Sequence, residues 1–394
     1  MRNRSTSLRA SSRCFAFLLF LSQLSALSSQ LFAPPTGRAE ATAKGGTITL
    51  ETGEIAGAKF TLARPVHWNA RLLLLAHGLR DADRPLDADF SPALLSYRTF
   101  LDEGWIVAAT SYRRNGVIIA DAIADLDALR DYLAQKFGAA DRVLIEGESM
   151  GGLIATLMAE REPAEPRLYH GAIAIGATLS VQEAGSSGAI TLQPRLPLLF
   201  LSNQSELSAP TAYVSAKIFR ENAELRPALF RVARDGHVNL NQPERLAALR
   251  ALNAWLDRGR VALPSPAAGA DFFDTTVSPP PQLSQVITHP DARGFDARVL
   301  ELSHHYGNVV LNAQPTDLSA IGVAQQQWLQ LTVRGATYRV RLGHDSTSVK
   351  RGEWVIFPNA DGFVWLARNF ADAAGTARLT VGDVVSLRRY DDPK

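Results

Sequence analysis

Ser149 lies in Gly147-Glu148-Ser149-Met150-Gly151, between a short apolar run at 142–146 and a helix-like run at 153–161. A serine between two glycines at the end of a strand is the arrangement that lifts a hydroxyl out of a sheet on a strained turn. Such a hydroxyl is a weak nucleophile at neutral pH, so it needs a general base to take its proton and a third group to hold that base. His237 follows the last strand-like run of this region and precedes its final helix-like run, in Arg234-Asp235-Gly236-His237, which makes it the candidate base. The candidate acid is Glu206, the one carboxylate in the loop Ser202-Asn203-Gln204-Ser205-Glu206-Leu207 after the run at 197–201. Asp235 is the rival, but it stands only two residues from His237 and is poorly placed to reach the far ring nitrogen.

An acyl-transfer site also needs backbone N–H groups aimed at the developing oxyanion. Met150, directly after the nucleophile, supplies one, and the loop His77-Gly78-Leu79-Arg80 after the run at 71–76 supplies the other, with Leu79 as the donor and His77 as a residue shaping the loop. Tyr112 and Arg113 follow the run at 105–110 and stand as candidate substrate contacts or as a surface turn. No pair of histidines has the spacing of a zinc site, so no metal and no cofactor is expected.

The elements that must position these groups are strand-like runs at 71–76, 105–110, 142–146, 172–175, 197–201 and 229–233, alternating with helix-like segments. That alternation predicts an α/β fold with a mostly parallel sheet flanked by helices. Runs at 47–51 and 58–63 suggest an antiparallel hairpin at one edge. Leu126, Leu129 and Leu133 share one face of a helix expected over 121–137, and Leu246, Leu249, Leu252 and Leu256 mark another over 243–256. With strand 105–110, Ser111-Tyr112-Arg113-Arg114-Asn115-Gly116 and the serine elbow in this order, residues 45–257 resemble the α/β-hydrolase superfamily. The resemblance implies hydrolysis of an ester, thioester or amide through an acyl-enzyme. Only 21 residues, 176–196, separate two strands where related enzymes carry a cap, so a small lid and an open cleft are expected.

Residues 258–283 read as a proline-rich linker, ending in Pro279-Pro280-Pro281, and 284–394 hold short β-prone runs of a small all-β domain. Ser303-His304-His305-Tyr306-Gly307-Asn308-Val309-Val310 and Gly362-Phe363-Val364-Trp365-Leu366-Ala367-Arg368-Asn369-Phe370-Ala371 resemble the C-terminal β-barrel of the S-adenosylmethionine hydroxide adenosyltransferase family, to which the fluorinases belong. The resemblance implies a nucleoside-lining role for Tyr306, Asn308, Arg368 and Asn369. Ser303 stands where that family carries an acid and Phe370 where it carries alanine, and its catalytic domain has no counterpart here, so adenosyl transfer is not expected.

Residues 1–28 carry Arg2, Arg4, Arg9 and Arg13 ahead of an apolar run at 14–21, the pattern of a secretory signal peptide, with no membrane span expected once it is removed. The whole chain has 41 Lys plus Arg against 39 Asp plus Glu; without the leader the balance is −2, which gives nucleic-acid binding no support. Cys14, the one cysteine, lies in the leader, so neither disulfides nor thiol catalysis is expected. These readings predict a secreted or periplasmic serine hydrolase, acting on a small or polymeric ester. Its alternatives are a serine peptidase on the same scaffold and a non-enzymatic nucleoside- or S-adenosylmethionine-binding protein. The β-domain is expected to add a subunit contact or a wall near the cleft, and a chain ending near Val261 to keep the chemical step.

Overall fold

A computed structural model describes residues 37–43, 46–163, 166–180, 189–259, 272–280, 283–303 and 306–390. The leader and much of the proline-rich segment lie outside them. Ten strands form the first sheet: β1 (Gly37–Ala43), β2 (Gly46–Ile55), β3 (Ala58–Pro65), β4 (Arg71–Ala76), β5 (Ile106–Thr110), β6 (Arg142–Glu148), β7 (Gly171–Ile175), β8 (Leu198–Asn203), β9 (Ala228–Val232) and β10 (Phe273–Asp274). Their order is β1-β2-β3-β5-β4-β6-β7-β8-β9-β10, antiparallel as far as β5 and parallel beyond it. This is the mostly parallel, helix-flanked sheet that the alternating runs predict.

The central strands are buried on both faces, which is why they read as unbroken apolar runs. Along β4, Leu72, Leu74 and Ala76 join a core on one face and Leu73 and Leu75 a core on the other, following the two-residue period of a strand. The first face is covered by α2 (Ile119–Phe137) and α3 (Met150–Arg161), the second by α1 (Leu95–Asp102) and α6 (Gln242–Arg258). The short α4 (Ser208–Val214) and α5 (Lys217–Glu221) lie between β8 and β9. Helix α6 starts one residue before the expected Pro243 with a capping box: Asn241 accepts from Glu244 N, and the Glu244 carboxylate accepts from Asn241 N.

Within the segment read as a linker, residues 273–274 form β10 and extend the sheet beside β9, with Asp274 paired to Arg231. Prolines bar a helix there but not an edge strand, which needs partners on one side only. Thr275 N donates to Arg231 O, and Val277 N donates to Glu244 at the start of α6.

The second sheet holds β11 (Ile287–Thr288), β12 (Gly294–Leu302), β13 (Val309–Leu311), β14 (Trp328–Val333), β15 (Ala336–Leu342), β16 (Trp354–Pro358), β17 (Val364–Arg368) and β18 (Val384–Arg389). It also carries α7 (Pro315–Ala320) and α8 (Ala373–Ala377). The order β12-β13-β17-β16-β15-β14-β18 returns to β12 through the β12–β18 pairing, closing a barrel with β11 appended. Closure leaves no exposed edge along the ring. Val299, Leu311, Leu329, Val340, Ile356, Leu366 and Leu387 fill its interior.

Candidate active site

The elbow is tight because two glycines let backbones touch. A Cβ on Gly147 would collide with Gly151 O, and one on Gly151 with Ala76 O, so neither position has room for a side chain. Ser149, between them, takes φ +57° and ψ −116°, a conformation that L residues rarely adopt and that the surrounding contacts enforce. Helix α3 starts at the next residue, so the Met150 N–H is among the first-turn donors without an intrahelical acceptor.

His237 lies between the serine and an acid. Its Nε2 is 2.8 Å from Ser149 Oγ, and its Nδ1 is 2.5 Å from Glu206 Oε2. Glu206 ends a single 3-10 turn after β8, and its second oxygen accepts from Val238 N at 3.1 Å, so both carboxylate oxygens are fixed. The loops that carry Glu206 and His237 are tied to each other. Asn203 donates from Nδ2 to Arg234 O and Asn239 O and accepts from Asn239 N, while Gly236 N donates to Ser205 Oγ. The rival acid turns elsewhere: Asp235 Oδ2 is 3.6 Å from His344 Nδ1, on the barrel.

Burial by itself would lower the His237 pKa, but the hydrogen bond and charge of Glu206, helped by Asp345 and Glu148, hold it above the ordinary imidazole value. The imidazolium is thereby favoured once a proton arrives.

The loop after β4 lies against Ser149. The direction in which Gly78 would carry a side chain points at Ser149 Cβ, 3.1 Å from the Cβ position, and at Glu148 O, 3.2 Å away. His77 holds this loop, with Nδ1 2.7 Å from Gly78 O and Nε2 3.1 Å from Ser111 O. Leu79 packs its side chain onto the core.

Tyr112 does not stand at a pocket mouth, and Arg113 lies at the surface. Tyr112 is fully buried, stacks on His77 at 4.0 Å between ring centroids, and donates its hydroxyl to His77 O. Arg113 is paired through its guanidinium with the buried Asp125 of α2, and its backbone N donates to the same carboxylate. Tyr112 thus supports the loop beside the serine, whereas Arg113, exposed at the surface, is tied to α2.

A charged network under the elbow went unread in the sequence. Arg245 of α6 pairs with Glu146 and Glu148, which flank Gly147 on β6, and Tyr97 of α1 donates to Glu146. Burial works against the Arg245 charge, and the two carboxylates more than offset it, so the guanidinium stays ionised. The available signal was Glu146 closing an apolar strand and Arg245 standing next to the apolar face of a helix.

Of the four residues singled out on the barrel, three make contacts within it. Arg368 donates to Gly352 O and to Thr376 Oγ1, and Asn369 is buried and donates to Val349 O. Asn308 O accepts from Ser303 N within the barrel turn. Tyr306 departs from them: its hydroxyl lies 3.6 Å from the same Cβ position of Gly78 that faces Ser149.

Of the short 176–196 segment, residues 181–188 lie outside the described residues, and the approach to the serine is flanked by the second domain. The barrel docks on both sides of it, through Arg351 to Asp81 (2.6 Å) and Arg84 to Asp372 (3.6 Å) beside the loop after β4, and through Asn239 to Pro358 O (3.1 Å) beside the His237 loop. Among the described residues, no group of three or more His, Cys, Asp or Glu is arranged to hold a metal ion, and no helix is long and apolar enough to cross a membrane.

No curated protein sequence matches this chain. Among solved structures, it is similar to an uncharacterized conserved protein from Thermotoga maritima, at 19% identity and TM-score 0.25, over 35% of this chain and 49% of that one. It thus spans about half the length of that protein. It is also similar to esterase B from Lactobacillus rhamnosis, at 17% identity and TM-score 0.41 over 62% of this chain and 94% of that one. A Pyrococcus furiosus esterase aligns at 13% identity and TM-score 0.34, over 58% of this chain and 94% of its own. Residues 300–386, from within β12 into β18, match the S-adenosylmethionine hydroxide adenosyltransferase C-terminal domain family, in the part of the chain where the barrel closes.

Proposed function

We infer that this chain is an exported serine hydrolase that cleaves carboxylic esters through an acyl-enzyme on Ser149. The observation that carries the reading is the hydrogen-bonded line from Ser149 Oγ through His237 to Glu206, at 2.8 and 2.5 Å. Ser149 Oγ attacks the ester carbonyl carbon while His237 Nε2 takes the hydroxyl proton, and Glu206 holds the imidazolium that results. The carbonyl oxygen, now an anion, accepts from Met150 N–H and from an N–H of the His77–Arg80 loop, for which Leu79 is the candidate. Collapse breaks the bond to the alkoxy oxygen, which leaves with the proton from His237. Water then attacks the acyl-serine with His237 as base, releasing the acid and restoring Ser149.

The closure of the three groups on one another favours an enzyme over a binding protein with a decayed hydrolase domain. The leader reading adds export: expressed with residues 1–28 in a bacterium, the protein should be found outside the cytoplasm with an N-terminus near Ser29. A panel of p-nitrophenyl esters and of peptides tests the activity. Ester turnover lost in Ser149→Ala is the expected result, whereas cleavage of peptides alone would favour the peptidase, and turnover that survives the substitution would remove Ser149 from the reaction.

A further inference from the structure

The barrel meets the first domain at the site itself. The Tyr306-Gly307 turn is anchored from within the barrel: Gly307 N donates to Ser303 O, Gly307 O accepts from Ala374 N of α8, and Gly307 takes φ +66° with Asp372 filling the space where a side chain would stand. Asp372 in turn faces Arg84 of the first domain. The turn is thus fixed on one side by its own domain and on the other by the loop that runs on from His77–Arg80.

From this turn Tyr306 reaches the point beside Gly78 that Ser149 Cβ also flanks. About two fifths of the residue is open to solvent, at 41% exposure, yet burial raises its phenol pKa, with the Glu148 charge adding to the effect and Arg80 opposing it. The phenol therefore stays protonated at neutral pH. Arg80 hydrogen-bonds to that phenol. A guanidinium has donors only, so the phenol oxygen accepts from it and its own O–H is directed away from Arg80. A polarised O–H donor thus lies at the mouth of the loop proposed to hold the scissile carbonyl oxygen.

We propose that Tyr306, contributed by the barrel, is a substrate-binding residue of the hydrolase site that donates its phenol O–H to an oxygen acceptor in the acyl group beside the scissile carbonyl. The substrate class this selects is esters of oxygenated short acids, those with an ether, hydroxyl or carbonyl oxygen near the carboxyl carbon, over esters of plain alkanoic acids. The inference rests on the serine-hydrolase reading. It explains why the first sheet can carry so short a segment at 176–196: the wall that reads the acyl group comes from the other domain.

The test compares p-nitrophenyl methoxyacetate with p-nitrophenyl butanoate, which differ by one oxygen in place of a methylene, in the full chain and in Tyr306→Phe. The ratio of variant to parent for each ester cancels the intrinsic reactivity of the two acyl groups. Loss of one hydrogen bond should lower kcat/KM for the methoxyacetate about three- to tenfold, mostly through KM, and leave the butanoate within about twofold. Equal falls for both esters, or no change in either, would overturn the specificity role. A Tyr306→Phe protein with a lower Tm and unchanged kinetics would reduce the hydroxyl to a packing role and also overturn it. Parallel measurements on Ser149→Ala separate the two ideas: turnover in the parent that depends on Ser149, without ester discrimination by Tyr306, sinks this inference alone, and turnover independent of Ser149 sinks both.

Discussion

The open parallel sheet and the closed barrel put their functional side chains forward by different means. In the sheet, Ser149, Glu206 and His237 all follow strand ends, and each is set by its own short turn. The three then meet because neighbouring parallel strands deliver their C-terminal ends to one edge. The barrel has no such edge. It closes on itself, and what it presents to the cleft comes from turns between strands: Tyr306 before β13, His344 and Asp345 after β15, and Arg351 before β16. An open sheet can assemble a site from its own topology, whereas a closed one contributes by docking whole turns against a partner.

This contrast predicts a graded loss. Substitution within the line of three should cost most. His237→Ala should lower ester turnover by about four orders of magnitude or more, since members of such a unit act together. Glu206→Gln should cost on the order of 10³–10⁴ in kcat while the fold persists, because an amide cannot stabilise an imidazolium as a carboxylate does. Asp235→Asn, facing His344 instead, should change turnover little, and a reversal of these two effects would make Asp235 the acid.

Next comes the support under the elbow. Arg245→Met removes the cation between two carboxylates, one of them fully buried, and should lower stability by about 3–5 kcal/mol, read by denaturant unfolding of the full chain. A neutral result would mean that Glu146 is held protonated, and the elbow would then owe nothing to charge.

The smallest effect belongs to the barrel's charge near the base. Only neutral His237 can accept a proton, so activity should fall as pH drops through its pKa, which lies above the ordinary imidazole value of about 6.5. Removing a neighbouring negative charge lowers that pKa. Asp345→Asn should therefore move the acid limb of the kcat/KM profile to lower pH by a few tenths of a unit, and Glu206→Gln should move it further in the same direction. A limb that stays in place after Asp345→Asn would show that the barrel's charge does not reach the base.

Much of the first domain was legible because its groups sit where local chemistry puts them. The expected run at 71–76 coincides with β4, the run at 142–146 opens β6, and the run at 197–201 overlaps β8 from Leu198; both strands run two residues further. The G-x-S-x-G spacing and the order serine, acid, histidine sufficed to find three residues that the fold brings within hydrogen-bond distance. What escaped was either short or distant. Helix α1 has apolar Tyr97, Phe100 and Leu101 at helical spacing but no side-chain cap to mark its start. Strand β13 is three residues long, too short to show a period. The docking of the barrel rests on pairs as far apart as Asp81 and Arg351, separated by 270 positions, and on exposed charges whose individual contributions are about 0–1 kcal/mol. No local pattern records such contacts. Tyr306 was noticed through its resemblance to a nucleoside-lining segment, and its place beside Gly78 became visible only once both domains were folded.

The central claim is that Ser149 is the nucleophile of a working hydrolase, and covalent capture tests it most directly. A fluorophosphonate probe incubated with the full chain, followed by intact-mass measurement and peptide mapping, should give one adduct on the peptide carrying Ser149. Ser149→Ala should give none, and His237→Ala should label far more slowly because the hydroxyl has lost its base. Undiminished labelling of Ser149→Ala, or a parent protein that forms no adduct while correctly folded, would contradict the account.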